Sequence, residues 1–534
     1  MKGVFLSCLL LLLIDNCHAA QPGSNDAERM RRIGERAGRE KIAKGYASAR
    51  RSAEQPYLHA LASIIKWLAP LEAKADADKL LEEIQTADKD YLNLKDLEKI
   101  AAAIAAPKEL DDKQKKELET RVKLARKQRA EGLLGVARTC YGAGLLGYAY
   151  DLASEVLRCD PENALCRTAM GQVKVGAEWK TKYEAAQLQQ GNLYLAGLGW
   201  VPKPAVDRVK NGEWLDGAKW MSMEDANKLH ASLSSPWVIE TENFTLKSTS
   251  TRKRAMEIAE RLESIRALVF RQYLEFFMRG SKQKSAQLLF SAAAEKKMVV
   301  NYFGSQKDFT AAIDKLEMRN SSREVTLRSA GFYSHKEHAS FFYYDANFGP
   351  FLITVMQHEI THQVLGEFTQ DGADSVWLVE GVAQVMEVAQ PGDDGRLSLP
   401  PGLEHPDAIT AARMLKKGSL PPASRLMYMA HADFHAEPGR SANYTASGAL
   451  CRFFMDYKNN TLCADFLEYL HDCYRSKTVR LRDYIDMDDA AIDKAFEAWL
   501  QESAAALAAA EARNPKKKRR AEPDMEGMPE DYRE

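Results

Sequence analysis

His358 and His362 stand four residues apart in QHEITHQV, with Glu359 directly after the first histidine. On a helix, residues at i and i+4 lie one above the other, so both imidazoles can reach one ion. Imidazole nitrogen suits zinc, and a neighbouring carboxylate can take a proton from water that the metal has made acidic. The run FLITVMQHEITHQVLGEF has the helical pattern this needs: Phe351, Leu352, Val355 and Met356 mark an apolar face, and Gly366 is the expected stop. Two histidines that merely fall at this spacing are the other reading, and a third ligand decides between them.

The third ligand is at hand in SVWLVEGVAQVMEVA, residues 375–389, a second amphipathic pattern that carries Glu380. Beside Trp377, Leu378 and Val379 an unpaired charge would be costly, which argues against a merely solvated carboxylate. The short link makes the two helices neighbours, so Glu380 can complete a His-His-Glu set with water in the fourth position.

The two segments together resemble the gluzincin metallopeptidases. His358-Glu359-Ile360-Thr361-His362 is similar to their HExxH helix, and Trp377-Leu378-Val379-Glu380-Gly381-Val382-Ala383-Gln384-Val385-Met386-Glu387 is similar to WLxEGxAxxxE of the aminopeptidase branch. The likeness is specific over roughly residues 350–390. It implies an exported zinc peptidase with one Zn2+ per chain, His358, His362 and Glu380 as ligands, Glu359 as catalytic base, and a peptide or protein as substrate. Glu387 lines the same face as Glu380 and can orient a histidine ligand. No GxMEN-type segment precedes the zinc helix, so a grip on a free amino terminus is missing and exopeptidase and endopeptidase action stand equal. In its place AGFYSHKEHASFFYYDAN reads as a hairpin-like pair of strands, more like the edge strand of peptidase-MA-like domains in secreted bacterial proteins. Tyr444 in SANYTASGALCRFFMDY resembles the tyrosine that gluzincins use to donate to the developing oxyanion. A buried structural tyrosine is the alternative, and His431 and His435 in HADFH are alternative donors.

The elements that must position these residues form an α+β pattern. Strand signals in WVIETENFTLKS, QLLFSA, KKMVVNYF, EVTLRSAGFYS and HASFFYYD, with a helix from Arg252 to about Arg279, precede a mainly helical stretch from Pro350 to about Ala508. This is a small β-sheet followed by a mainly helical subdomain, which the resemblance implies is a gluzincin-type catalytic lobe over 236–508. Ahead of it lie a signal peptide at 1–20, a helical region at 21–130, a hairpin at 131–185 that resembles a tetratricopeptide-type unit, and a Trp/Gly-rich connector at 186–235. The charged segment at 509–534 reads as a disordered tail.

Charge and composition exclude other classes. With 74 basic and 75 acidic residues the chain has no global field for nucleic acid, and beyond the leader no apolar stretch approaches the length of a membrane span. The leader places the protein outside the cytoplasm, secreted or periplasmic, where Cys140, Cys159, Cys166, Cys451, Cys463 and Cys473 are free to form disulfides. Two further readings stand beside the peptidase. One is a secreted scaffold whose helical N-terminal half binds a protein partner while the peptidase-like domain is catalytically silent. The other is a carbohydrate-binding protein led by Trp200, Trp214, Trp220 and Trp237.

Overall fold

The computed structural model describes residues 22–104, 107–278, 288–290, 296–316, 330–344, 349–369, 373, 375–392, 395–475 and 479–513. The leader at 1–20 and the tail from 514 onward lie outside these residues. Within them the fold is mixed α+β.

The chain opens with helices α1 (Pro22–Leu68), α2 (Lys74–Ala87), α3 (Leu94–Ala102) and α4 (Asp112–Gly142). Asp111 starts α4 with a capping box, its carboxylate accepting the Gln114 N–H at 2.7 Å while the Gln114 side chain accepts the Asp111 N–H at 3.0 Å. Tyr57, Leu61 and Ile65 of α1 meet Leu80, Ile84 and Leu97 in a separate small core. After a turn at Ala143–Leu145 come α5 (Leu146–Cys159) and α6 (Ala164–Ala169). Over 131–185 the end of α4 is followed by α5 and α6, and the range runs on into the first ββα unit described below. Leu133, Ala137, Leu152 and Val156 share one core with the lobe that follows. Half-buried Glu275 accepts the N–H groups of Leu146 and Gly147 at 3.1 and 3.2 Å, a carboxylate at a helix N-terminus. Arg36 and Arg39 of α1 reach Asp465 at 2.7 and 2.5 Å, joining the first helix to the last third of the chain.

Residues 172–230 correct the expected loop-rich connector. They form three successive ββα units: β1 (Gln172–Val175), β2 (Glu178–Thr181) and α7 (Lys182–Gln189); β3 (Asn192–Leu195), β4 (Gly199–Pro202) and α8 (Val206–Lys210); β5 (Glu213–Asp216), β6 (Lys219–Ser222) and α9 (Met223–His230). Gly171, Gly191 and Gly212 precede the three hairpins, all at positive φ, and Trp179, Trp200 and Trp220 recur on the second strands. The tryptophans do not form an open platform. Arg208 lies over Trp220 at 3.9 Å, Arg252 over Trp214 at 3.8 Å, and Trp200 packs edge-on to Tyr194.

A five-stranded sheet follows, built from β7 (Trp237–Glu240), β8 (Phe244–Ser248), β9 (Met298–Phe303), β10 (Gly331–Ser334) and β11 (Ala339–Tyr343) in the order β10-β11-β9-β8-β7. The β8/β9 and β9/β11 pairs are parallel and need crossovers; α10 (Arg252–Gln272) and α12 (Gln306–Ile313) lie on them. The single helix expected from Arg252 to Arg279 breaks at Tyr273, after which α11 (Leu274–Met278) begins. The break turns Tyr273 fully inward, where its hydroxyl donates to the Val382 carbonyl at 2.6 Å. Leu288–Phe290, expected as a strand, instead plugs the helical hairpin: the Phe290 ring packs edge-on to Tyr141 and Tyr150. The strand read into 324–329 lies outside the described residues.

The rest is helical: α13 (Gly349–Thr369), α14 (Val376–Met386), α15 (Pro406–Lys417), α16 (Ala423–Met427), α17 (His431–Phe434), α18 (Arg440–Asn460), α19 (Cys463–Cys473) and α20 (Asp489–Arg513). Residues 509–513, read as tail, are the last turn of α20. Among the described residues no helix is long and apolar enough to cross a membrane. The six cysteines permitted disulfides, yet all are unpaired. They pack as small apolar groups, and burial pushes the thiols of Cys140 and Cys166 up to about 11.

Candidate metal centre

Helix α13 carries the two histidines and is held from both sides. Leu352, Met356, Ile360 and Val364 form its buried apolar row. Its buried polar residues are satisfied by neighbours: Gln363 donates to the Val299 carbonyl of β9 at 2.9 Å and accepts the Ser340 hydroxyl of β11 at 2.8 Å, while Gln357 donates to the Ala389 carbonyl beyond α14 at 2.9 Å. These bonds fix the helix to the sheet and to its partner helix. Gly366 is not the stop. It lies inside the helix, where a Cβ would stand 3.2 Å from the His335 ring.

Helix α14 brings Glu380. Its Gly381 permits the approach of α18, because a Cβ there would meet Cys451 Sγ and the Ser447 carbonyl oxygen, each at 2.7 Å. The close crossing sets Tyr444, just before Ser447, beside the same space. The structure therefore brings together the residues that the sequence singled out. His358 Nε2 is 3.0 Å from His362 Nε2 and 3.2 Å from Glu380 Oε2, and His362 Nε2 is 3.7 Å from that oxygen. The three form the one group of this kind among the described residues with geometry for a metal ion. Ligand atoms about 2.0–2.1 Å from a tetrahedral zinc stand roughly 3.3 Å apart, and these three separations bracket that value. The donor set fits zinc in type and spacing.

The surroundings favour a cation. Burial opposes charge on His358, yet the Glu380 and Glu387 carboxylates outweigh it and hold the imidazole's proton affinity well above the ordinary value. Burial likewise opposes charge on Glu380, and its bonds to His358 and His362 hold its pKa well below the carboxylate range. Glu387 accepts from His358 Nδ1 at 2.7 Å, leaving Nε2 aimed at the cluster. His362 Nδ1 is buried with no hydrogen-bond partner among the described residues, so only one ligand ring is braced from behind.

Glu359 points to the sheet side. Its Oε2 accepts the backbone N–H of Tyr333, on edge strand β10, at 2.8 Å. Burial raises its pKa against the pull of His358, His362 and that N–H. Nothing in the sequence marked the Tyr333 amide; the signal available was the edge-strand pattern of GFYS, which does not say which backbone group faces the helix. On the opposite side Tyr444 has its ring centroid 6.4 Å from His358 and its hydroxyl 3.4 Å from His435 Nδ1. Burial first, then Glu380, keeps the Tyr444 hydroxyl protonated by pushing its pKa up. His435 thus flanks Tyr444, and His431 packs tilted against His435 with ring centroids 4.3 Å apart. No protein-family model matches the chain, and neither a curated protein nor a solved structure matches it.

Proposed function

We propose that the protein is an exported zinc-dependent peptidase of gluzincin type, with His358, His362 and Glu380 as ligands, Glu359 as general base and Tyr444 as oxyanion donor. The observation that carries this reading is the convergence of three ligand atoms, within 4.8 Å of one another, beside a half-buried carboxylate that is not part of the set. When bound, zinc supplies Lewis acidity, drawing the pKa of water toward neutrality and polarising a carbonyl.

The chain's residues supply the rest. The Tyr333 amide holds one oxygen of Glu359, which leaves the other to accept a proton, and burial raises its affinity for that proton. Tyr444 approaches from the α18 side with its proton retained, so it can donate as charge builds on the carbonyl oxygen of a peptide. In this reading the base is held by β10 and the oxyanion donor is carried by α18. The clustering of His358, His362 and Glu380 with Glu359 beside them favours this reading over a silent scaffold. The helical N-terminal half remains, in this reading, the surface offered to a protein partner.

Metal analysis of the dialysed protein should give about one zinc per chain, the stoichiometry of a three-ligand catalytic site. His358→Ala with His362→Ala should remove it. Full zinc retention in that double variant would place the metal elsewhere.

A further inference from the structure

Behind His358 a chain of side chains runs inward from the cluster. Glu387 accepts from His358 Nδ1 through Oε1 at 2.7 Å, and its Oε2 accepts a Gln384 N–H at 3.0 Å. Asp407, at the start of α15, packs beside Gln384, its Oδ2 buried with no hydrogen-bond partner among the described residues. Space for this contact comes from Gly448 on α18, where a Cβ would stand 2.3 Å from Asp407 Oδ2 and 2.8 Å from Gln384 Cγ. His405 fastens the same end: its Nδ1 accepts the Asp407 N–H at 3.3 Å and its Nε2 faces the Val385 carbonyl at 3.2 Å. Burial, and then the nearby Glu387 charge, push the Asp407 carboxyl well above its usual range.

The half-buried Gln384 amide is held against one carboxylate oxygen of Glu387, and the other oxygen meets the His358 ring. We infer that Gln384 is a positioning residue for the metal: it pins Glu387, which pins the His358 ring so that Nε2 stays aimed at His362 and Glu380. The inference rests on the zinc reading and extends it one residue beyond Glu387.

The test is zinc affinity of the full-length protein, measured by competition with a chromogenic chelator, alongside thermal melting of the metal-free form. Gln384→Met keeps the volume and removes the amide, and should raise the zinc Kd about tenfold to a hundredfold. Gln384→Leu should weaken binding likewise. Wild-type zinc affinity in a folded Gln384→Met variant overturns the inference. If Gln384→Met does not melt cooperatively, Gln384→Leu decides, and wild-type zinc affinity in that variant overturns it. A wild-type protein that binds no zinc removes the metal reading and this inference together; zinc-binding wild type with an unaffected Gln384→Met removes this inference alone.

Discussion

Glycine stands at defining points of both the metal centre and the ββα units, and its missing side chain serves opposite needs in the two. Gly381 and Gly448 lie in helices, where the space a Cβ would occupy is already filled by α18 in one case and by Asp407 and Gln384 in the other. Gly191 and Gly212 have open space around them and instead hold φ at +80° and +86°, a conformation other residues adopt only with strain. The metal centre is thus built on close approach between elements, and the repeats on local backbone shape. Damage should therefore spread from the first kind of glycine and stay confined at the second.

Gly381→Val should break this contrast most visibly. It drives atoms into the Ser447 carbonyl and Cys451, so α14 and α18 must part; overpacking of this kind typically costs about 1–3 kcal/mol. Thermal melting should fall and zinc affinity with it, since Glu380 is the preceding residue. Unchanged zinc binding in a destabilised variant would show that the α14/α18 crossing does not set the site.

Tyr444→Phe probes the same crossing from the α18 side without disturbing packing. Loss of one oxyanion donor typically lowers kcat on the order of a hundredfold while binding changes little. An unaltered turnover number would pass the role to His435, whose ring flanks the Tyr444 hydroxyl.

The smallest effect belongs to Gly212→Ala. Forcing alanine to positive φ costs about 1–2 kcal/mol, offset in part by reduced freedom of the unfolded chain. The melt should shift modestly, with zinc content and kcat unchanged. A loss of zinc here would mean that the repeats and the metal centre are coupled through more than the shared chain.

The same contrast explains what could be read from the sequence. Ligand chemistry depends on residue type at helical spacing, so His358, Glu359, His362, Glu380 and Glu387 were legible before any fold was known. Tyr444 was legible only through family likeness, because one tyrosine near a small-residue helix turn has no chemical signature of its own. The repeats were missed because their signal lies in the phase of Gly171, Gly191 and Gly212 against Trp179, Trp200 and Trp220, while the intervening hydrophobic pattern is short and irregular. Composition suggested a loop; periodicity of the glycines would have suggested repeats. The break at Tyr273 was hidden for a different reason: the helical pattern continues through it, and only the distant Val382 carbonyl explains the turn.

The central claim is that Glu359 is a base and not a ligand, and Glu359→Gln tests it in one protein measured two ways. The change preserves shape and still accepts the Tyr333 N–H, but cannot take up a proton. Zinc per chain should stay at about one, and peptide cleavage should fall by at least about a hundredfold, the lower end of general-base contributions. Wild-type cleavage by the Glu359→Gln protein would contradict the account.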